Sequence, residues 1–302
     1  MVHVELFATN LNNASHMEWA NDGRLLVNEH SAGTIKDITH GGDMKDVAPV
    51  AHGLKGPAGI LPMPDGRLLV AETWGGTIRD VSTGGDVSQR PPFAVELSMP
   101  YSMVVAKKDG ASRLFVSECQ DYRSSWVTDF TEGGGRRSHA FYAKGLPTLP
   151  GSPGVTPAHI ENWPQNWQNY AAGQYIRMWQ EGGIPLAANI HFVSVGPLGQ
   201  IIDLSSGGGT YSELLDAGRV FAWGLGRIGG IKMHPTNGLL YGTEPENGVV
   251  FAVDPKVRRN YRFDPPVVRG LVKPTCLRFS ADGQTMYVCG QGEGVVWRIT
   301  DF

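Results

Sequence analysis

Three glutamates close three similar apolar segments of the chain. Glu29 ends LLVNE, Glu72 ends LLVAE and Glu118 ends LFVSE. Carboxylates that converge on one pocket repel each other, so they must share protons, pair with cations or bind a metal ion. Such a set suits a hard-cation site or an acid/base pair. The alternative is structural, with each glutamate accepting hydrogen bonds from nearby loop amides.

A histidine interrupts the same repeat. His16 puts a titratable ring at a position that the other segments fill with Gly59, Met103, Gly230 and Cys276. A neutral imidazole there is suited to act as base, acid or metal ligand, although a bond to a neighbouring loop carbonyl is the structural alternative. Cys276 makes a Cys–His nucleophilic pair conceivable, against a buried and inert thiol. His30, beside Glu29, is a further candidate.

Three charged residues lie two positions deeper in their segments. Glu18 is flanked by Arg278 and, if one extra turn residue is allowed, by Lys232. A carboxylate between two cations predicts a paired structural cluster. The same cations are alternatively a source of positive potential beneath a bound anion.

A repeat positions these residues. Five times the chain runs through an apolar segment, a turn centred on glycine, a second apolar segment and then glycine with a third; the five are Trp19 to Ile35, Met63 to Ile78, Val105 to Trp126, Met233 to Val250 and Phe279 to Val296. The turn glycines recur about every 44 residues, the period of a propeller blade. A longer interval before Gly238 hides one more blade, whose middle is His191 to Leu204. The sequence predicts an all-β, six-bladed propeller in one domain, 1–302.

Each blade is expected to end in a short outer strand. The candidates are Val47 to Leu54, Phe93 to Leu97, Phe141 to Leu146, Tyr211 to Leu215 and Val267 to Leu271. Blade six lacks one because the chain stops at Phe302. Val4 to Thr9 at the N-terminus is predicted to supply it, which would leave no long open sheet edge.

An aromatic insertion near blade four, about 147–184, breaks the repeat. Its spacing indicates a helix from Trp163 and Trp167 onward, while Gly173 to Trp179 competes for the first strand of blade four. A segment leaving from the channel mouth could form a lid with an aromatic lining. The alternatives are a patch on a blade edge or a dimer contact.

The composition of the chain limits the classes of binding partner that we expect. A net charge of −3 over 302 residues, with no Lys/Arg run, argues against nucleic acid. Neither a leader segment nor an apolar stretch of membrane-spanning length is visible, so we expect no membrane association and a cytoplasmic location. Three cysteines are then expected to be reduced. We expect a small-molecule substrate, a monomer or homodimer, and no nucleotide or flavin cofactor.

The blades written as apolar-Asp-Gly-Arg-Leu-Leu-Val-x-Glu, followed by Gly-x-Ile, resemble the six-bladed propellers of the gluconolactonase (senescence-marker-like), strictosidine-synthase-like and NHL-type superfamily. The resemblance covers about five of the six blades. In lactonase-like members a divalent cation, typically calcium, is held at the channel by Glu, Asn and Asp. Here His16 or Glu18 stands at the first-blade position, Gly229-Gly230 where an Asn is expected and Thr243-Glu244 where an Asp is expected. The resemblance implies calcium or another divalent cation, with His16, Glu72 and Glu118 as ligands.

These observations predict an enzyme pocket at the channel mouth, where first strands begin and second strands end. His16 is the expected base or metal ligand, with Glu29, Glu72 and Glu118 as acid/base carboxylates or ligands. The substrate wall is expected to comprise His30, Trp74, Tyr101, Trp163, Trp167, Arg227, Thr275 and Cys276. Lactone or ester hydrolysis fits this set, with imidazole or a cation activating water. A metal-independent lyase or carbon-bond-forming synthase and a non-catalytic NHL-type binding module remain alternatives.

Overall fold

The computed structural model describes residues 2–108, 111–120, 124–147, 188–189, 192–195 and 199–302. Within these ranges the chain is nearly all β, and six sheets follow one another as the blades of a propeller. The predicted all-β, six-bladed architecture is confirmed. No helix in the described ranges is both long and apolar enough to cross a membrane.

Blades one to three each contain four antiparallel strands, which run outward from the channel in chain order. Blade one consists of Ala14–Trp19, Leu25–Glu29, Thr34–Asp37 and Ala51–His52. Blade two consists of Pro57–Pro62, Leu68–Glu72, Thr77–Asp80 and Ala94–Val95. Blade three consists of Met103–Lys108, Ala111–Gln120, Ser124–Asp129 and Phe141–Pro147, with a 3-10 helix at Arg136–Ser138.

Blades four to six repeat this plan. Blade four consists of Ala188–Asn189, Phe192–Val195, Gln200–Asp203 and Val220–Trp223. Blade five consists of Ile231–Met233, Leu240–Glu244 and Val249–Val253, with a single bridge between Val250 and Val268 at its outer edge. Blade six consists of Pro274–Phe279, Met286–Gly290, Val295–Thr300 and the N-terminal strand His3–Thr9.

The N-terminal strand closes the ring as predicted. His3–Thr9 pairs antiparallel with Val295–Thr300, with His3 opposite Thr300 and Leu6 opposite Trp297. The first and last strands of the chain therefore share one sheet. This pairing covers the long edge that Val295–Thr300 would otherwise present.

Short parallel strands link neighbouring blades, a feature that the sequence analysis missed. Each pairs with the outer strand of the preceding blade, and the five are Gly42–Asp43, Gly85–Asp86, Gly134–Gly135, Gly209–Thr210 and Arg259–Asn260. Glycine is required at the approach: Gly41 has φ +64°, and a Cβ there would lie 2.3 Å from the carbonyl oxygen of Phe7. The Gly-Gly-Asp sequences after the third strands are therefore inter-blade contacts.

Blade four corrects one strand prediction. Tyr211–Asp216 is an α-helix, and Tyr211 to Leu215 is not the outer strand. A capping box explains the helix, because the Thr210 hydroxyl accepts from the N–H of Glu213 while the Glu213 carboxylate accepts from the N–H of Thr210. The outer strand is Val220–Trp223, and Ala188–Asn189 pairs with the second strand of the blade. The predicted insertion beyond Pro147, with Trp163, Trp167 and the segment Gly173 to Trp179, lies outside the described residues.

Apolar clusters fill the spaces between neighbouring blades. Between blades six and one, Met17 and Val27 pack with Cys289 and Val296. Burial of these strands on both faces follows from stacking blade against blade. The first strands are thereby fixed around the channel, and their side chains at the mouth form the candidate site.

Candidate functional site

Hydrogen bonds between neighbouring blades link the starts of the first strands. The Thr275 hydroxyl of blade six donates to the carbonyl oxygen of Ser15 in blade one at 3.3 Å. The Ser15 hydroxyl in turn donates to the Pro57 carbonyl of blade two at 3.3 Å. The N–H of Gly59 donates to the carbonyl oxygen of Tyr101 in blade three at 2.6 Å. The strand starts of blades six, one, two and three are therefore joined in a row of contacts, and in it Thr275 acts through its hydroxyl on the backbone.

His16 and Tyr101 contact each other at the channel mouth. Their rings meet edge to face with centroids 4.7 Å apart, although His16 belongs to blade one and Tyr101 to blade three. His16 is buried, and its Nδ1 has no hydrogen-bond partner. Burial, reinforced by the charges of Arg278 and His30, lowers the pKa of His16 to about 3. The imidazole is therefore neutral at pH 7.

Tyr101 is the complementary group of this pair. It is 2% exposed. Burial is the largest cause that raises the pKa of Tyr101 above its ordinary value, and the nearby Cys276 adds to it against the opposing charge of Arg227. The phenol therefore keeps its proton at neutral pH and is available as a donor beside the neutral imidazole of His16.

His30 is held in one tautomer. Its Nδ1 lies 3.0 Å from the Pro57 carbonyl oxygen, and a carbonyl only accepts, so Nδ1 carries the proton. Its ring packs edge to face against Trp74, with centroids 4.6 Å apart, and Trp74 itself is 59% exposed. Burial lowers the pKa of His30, opposed by the bond to Pro57. A neutral His30 with Nε2 unprotonated is suited to accept a proton.

The three repeated glutamates share one bonding pattern. Each is buried, accepts hydrogen bonds from an N–H of the loop that enters its own blade and from a threonine hydroxyl of the third strand, and is ion-paired with a basic side chain. The partners are Asn12 N (2.7 Å), Thr34 Oγ1 (2.6 Å) and Lys36 Nζ (3.5 Å) for Glu29; Lys55 N (2.8 Å), Thr77 Oγ1 (2.5 Å) and Arg79 Nε (2.8 Å) for Glu72; Ser98 N (2.9 Å), Thr128 Oγ1 (2.7 Å) and Arg136 Nε (3.1 Å) for Glu118.

A fourth glutamate repeats the loop contact in blade five. Glu244 accepts from the N–H of Gly226 at 2.7 Å and from the Asn247 amide at 2.6 Å. A pattern that recurs in four blades belongs to the blade, and it favours the structural interpretation of these carboxylates. Glu118 has one difference, since burial raises its pKa against the bonds it accepts. A part in the reaction for Glu29, Glu72 or Glu118 stays a prediction.

The predicted metal ligands do not come together. Among the described residues no group of three His, Cys, Asp or Glu side chains is placed to hold a metal ion. Glu72 is occupied by Arg79 and two further donors, and His16 lies against Tyr101 instead. The residues present at the channel mouth therefore do not fit the divalent cation that the resemblance implies.

Two predicted wall residues have other surroundings. Cys276 is buried in the apolar cluster between blades six and one, and its Sγ lies 3.2 Å from Sγ of Cys289. Its neighbours are therefore core residues, which fits the inert-thiol alternative. Arg227 is 7% exposed and lies 3.5 Å from the Glu246 carboxylate. Its charge opposes the rise in the pKa of Tyr101.

The predicted charged cluster is present inside the channel. Glu18 Oε2 lies 2.8 Å from Arg278 Nε and 3.4 Å from Lys232 Nζ. Burial alone would raise the pKa of Glu18, but the two cations and the bond from the N–H of Trp19 outweigh it, and the pKa is lowered. The first strands of blades one, five and six thus meet through an ionised carboxylate.

A concave surface lies at the rim between blades six and one. This cleft of about 710 Å³ is lined by Asn10, Leu11, Asn12, Asn13, Lys45, Lys273, Gln291, Gly292, Glu293 and Gly294. The sequence analysis missed it, because its residues come from opposite ends of the chain. It lies beside the channel mouth and is polar, without the aromatic and histidine side chains found there.

Solved structures with this fold include enzymes. A gluconolactonase from Xanthomonas campestris matches 99% of this chain and 89% of its own, with a TM-score of 0.57 and 11% identity. The chain shares its fold. A streptogramin B lyase matches 99% of this chain and 97% of its own, with a TM-score of 0.51 and 10% identity. A calcium structure of a Trichoderma reesei carbohydrate-active enzyme of family AA12 matches 100% and 96%, with a TM-score of 0.56 and 13% identity. No protein-family model and no curated protein matches the sequence.

Proposed function

We propose that the channel mouth is an enzyme pocket for a small organic molecule and that the reaction is hydrolysis of an ester or lactone. Two ring contacts carry the proposal: the neutral His16 against the protonated Tyr101, and the neutral His30 against the exposed ring of Trp74. The fold shared with a gluconolactonase supports the same reaction class.

His30 is the proposed general base. Its Nδ1–H is fixed on the Pro57 carbonyl, so Nε2 accepts the proton of the attacking water while the water oxygen bonds to the acyl carbon. The Tyr101 phenol donates to the oxyanion that forms. When the intermediate collapses, the alkoxide leaves with the proton held by His30. A lactone then opens to a hydroxy acid, and an ester yields an acid and an alcohol.

A lyase is the second candidate, and the His16–Tyr101 contact is the observation in its favour. Elimination needs a base to remove one proton and an acid to protonate the leaving group. The neutral imidazole of His16 and the protonated phenol of Tyr101, whose ring centroids are 4.7 Å apart, supply both. The fold is also that of a streptogramin B lyase. In this reaction no oxygen from water enters the product.

Turnover in ¹⁸O-labelled water tests both candidates. The purified protein is supplied with p-nitrophenyl esters and with five- and six-membered lactones, and mass spectrometry follows the products. Hydrolysis places ¹⁸O in the carboxylate, whereas elimination yields an unlabelled unsaturated product.

The variant His30→Gln should lose activity by about 10²- to 10⁴-fold, because the base is removed. His52→Gln is the matched control, since His52 is exposed on the outer strand of blade one. Equal activity of His30→Gln and the unmodified protein would remove His30 from the mechanism. Turnover of no ester or lactone would contradict the hydrolase assignment.

A further inference from the structure

The channel below His16 has an excess of positive charge. Lys232 and Arg278 face one carboxylate, Glu18, and within the described residues no other acidic side chain is ion-paired with either. Arg278 uses Nε on Glu18 and a terminal nitrogen on the Leu277 carbonyl oxygen, whereas the ammonium of Lys232 has one contact, at 3.4 Å. Two cations and one anion leave a net charge of one in a confined space.

These cations are not fully enclosed. The side chain of Lys232 is 37% exposed and that of Arg278 is 13% exposed. Burial nevertheless lowers the pKa of Lys232, with Arg278 adding to the effect and Glu18 opposing it. An ammonium that is partly exposed, with one long contact to Glu18, keeps donor capacity for a bound anion.

An unpartnered polar atom lies on the strand that carries Glu18. Nδ1 of His16 is buried and has no hydrogen-bond partner, and buried polar atoms in this state are rare. His16 is two residues before Glu18 on the same strand, and the charge of Arg278 reaches it. As an N–H, this nitrogen would donate to the same incoming group that the cations attract.

We propose that the channel holds a carboxylate-binding subsite formed by Lys232, Arg278 and His16, and that the substrate or product is a small organic carboxylate. One excess positive charge matches a monoanion, because a dianion would leave one negative charge uncompensated. Ester or lactone hydrolysis generates a carboxylate, so the subsite belongs to the proposed reaction and rests on it. The subsite adds to the proposed function the class of molecule that the channel binds.

Calorimetric titration with acetate and glycolate tests the subsite without any turnover, so its outcome is separate from that of the hydrolase assay. Acetamide is the neutral control ligand, and inorganic phosphate is the competing anion. We expect binding of both carboxylates, weakening as salt rises, and no binding of acetamide. Equal binding of acetate and acetamide, or tighter binding of phosphate than of either carboxylate, would overturn the assignment.

Two variants are expected to change the affinity for acetate in opposite directions. Lys232→Gln should weaken acetate binding about tenfold, since one positive charge is removed, and Glu18→Gln should tighten it about tenfold, since the compensating anion is removed. Lys256→Gln, at an exposed turn, is the matched control and should bind as the unmodified protein does. Circular dichroism verifies folding of each variant. Weaker binding by Glu18→Gln in its folded form would show that the cluster is structural and not a ligand site.

Discussion

At the scale of single residues, hydrogen-bond patterns distinguish structural residues from candidate reactive residues. Glu29, Glu72 and Glu118 look alike in the sequence because they do the same structural work, each joining a loop amide to the third strand of its blade. In blades two, three, five and six no histidine stands at the positions of His16 and His30. Residues that depart from the repeat are therefore the better guide to a reaction.

Glu72 has the shortest ion pair of these three carboxylates, 2.8 Å to Arg79. Glu72→Gln is therefore expected to lower the free energy of unfolding by about 3 kcal/mol. The substitution leaves the buried guanidinium of Arg79 without its counter-charge. Urea unfolding of the variant measures the change. Glu293→Gln on the exposed rim is the control and should alter stability by less than about 0.5 kcal/mol. Similar small changes for both variants would contradict the structural assignment.

His16 predicts a pH dependence of stability with a definite sign. Its folded pKa, about 3, lies below the ordinary value of 6.5, so between these values the unfolded chain binds more protons than the folded protein. Stability should therefore fall as the pH drops from about 6.5 toward 3, by up to ~1.4 kcal/mol per pH unit from this group. His30 adds a contribution of the same sign.

Replacing His16 with Gln should flatten this pH profile, measured by urea unfolding at pH 7, 6, 5 and 4. His40→Gln, at an exposed turn, serves as the control and should keep the unmodified slope. An unchanged slope in His16→Gln would mean that the imidazole titrates normally and is not held neutral by its surroundings.

At the scale of elements, short parallel strands connect five of the described blades, one to five, to the blade before each of them. Gly42–Asp43 runs parallel to the N-terminal strand, so blade one is attached to the sheet that closes the ring. The two glycines have different roles. Gly41 approaches the Phe7 carbonyl, whereas a Cβ on Gly42 would meet no atom within 4 Å.

This contrast supplies a matched pair of variants. Both residues have positive φ, so alanine at either costs about 1 kcal/mol of backbone strain. Gly41→Ala should cost about 2 kcal/mol more than Gly42→Ala, because its Cβ collides with the Phe7 carbonyl and separates the two strands. Thermal unfolding compares them. Equal melting temperatures would show that the inter-blade strand adapts without loss.

Element boundaries reveal where sequence reasoning succeeds and where it stops. The recurring Asp-Gly turns predicted the first three strands of most blades, because alternation and turn chemistry are local. Tyr211–Asp216 was mistaken for a strand although its capping box, Thr210 with Glu213, is a readable helix start. The parallel Gly-Gly links were missed because their partners lie in the preceding blade, far away along the chain.

At the scale of the whole molecule, ring closure joins residues that no local pattern relates. His3–Thr9 completes blade six, and the repeat predicted this because one outer strand was unaccounted for. The charged cluster followed from equivalent positions in neighbouring blades. The His16–Tyr101 contact and the tautomer of His30 did not, because both depend on how far apart the blades stand around the channel.

A crystal structure with a bound phosphonate ester tests whether the reaction takes place at the channel mouth, since a phosphonate imitates the tetrahedral intermediate of ester hydrolysis. We expect its tetrahedral group to lie at the channel mouth within hydrogen-bond reach of His30 Nε2 and the Tyr101 hydroxyl, with its organic part against Trp74. A phosphonate bound instead in the cleft between blades six and one, or at the Asp-Gly turns, would contradict it.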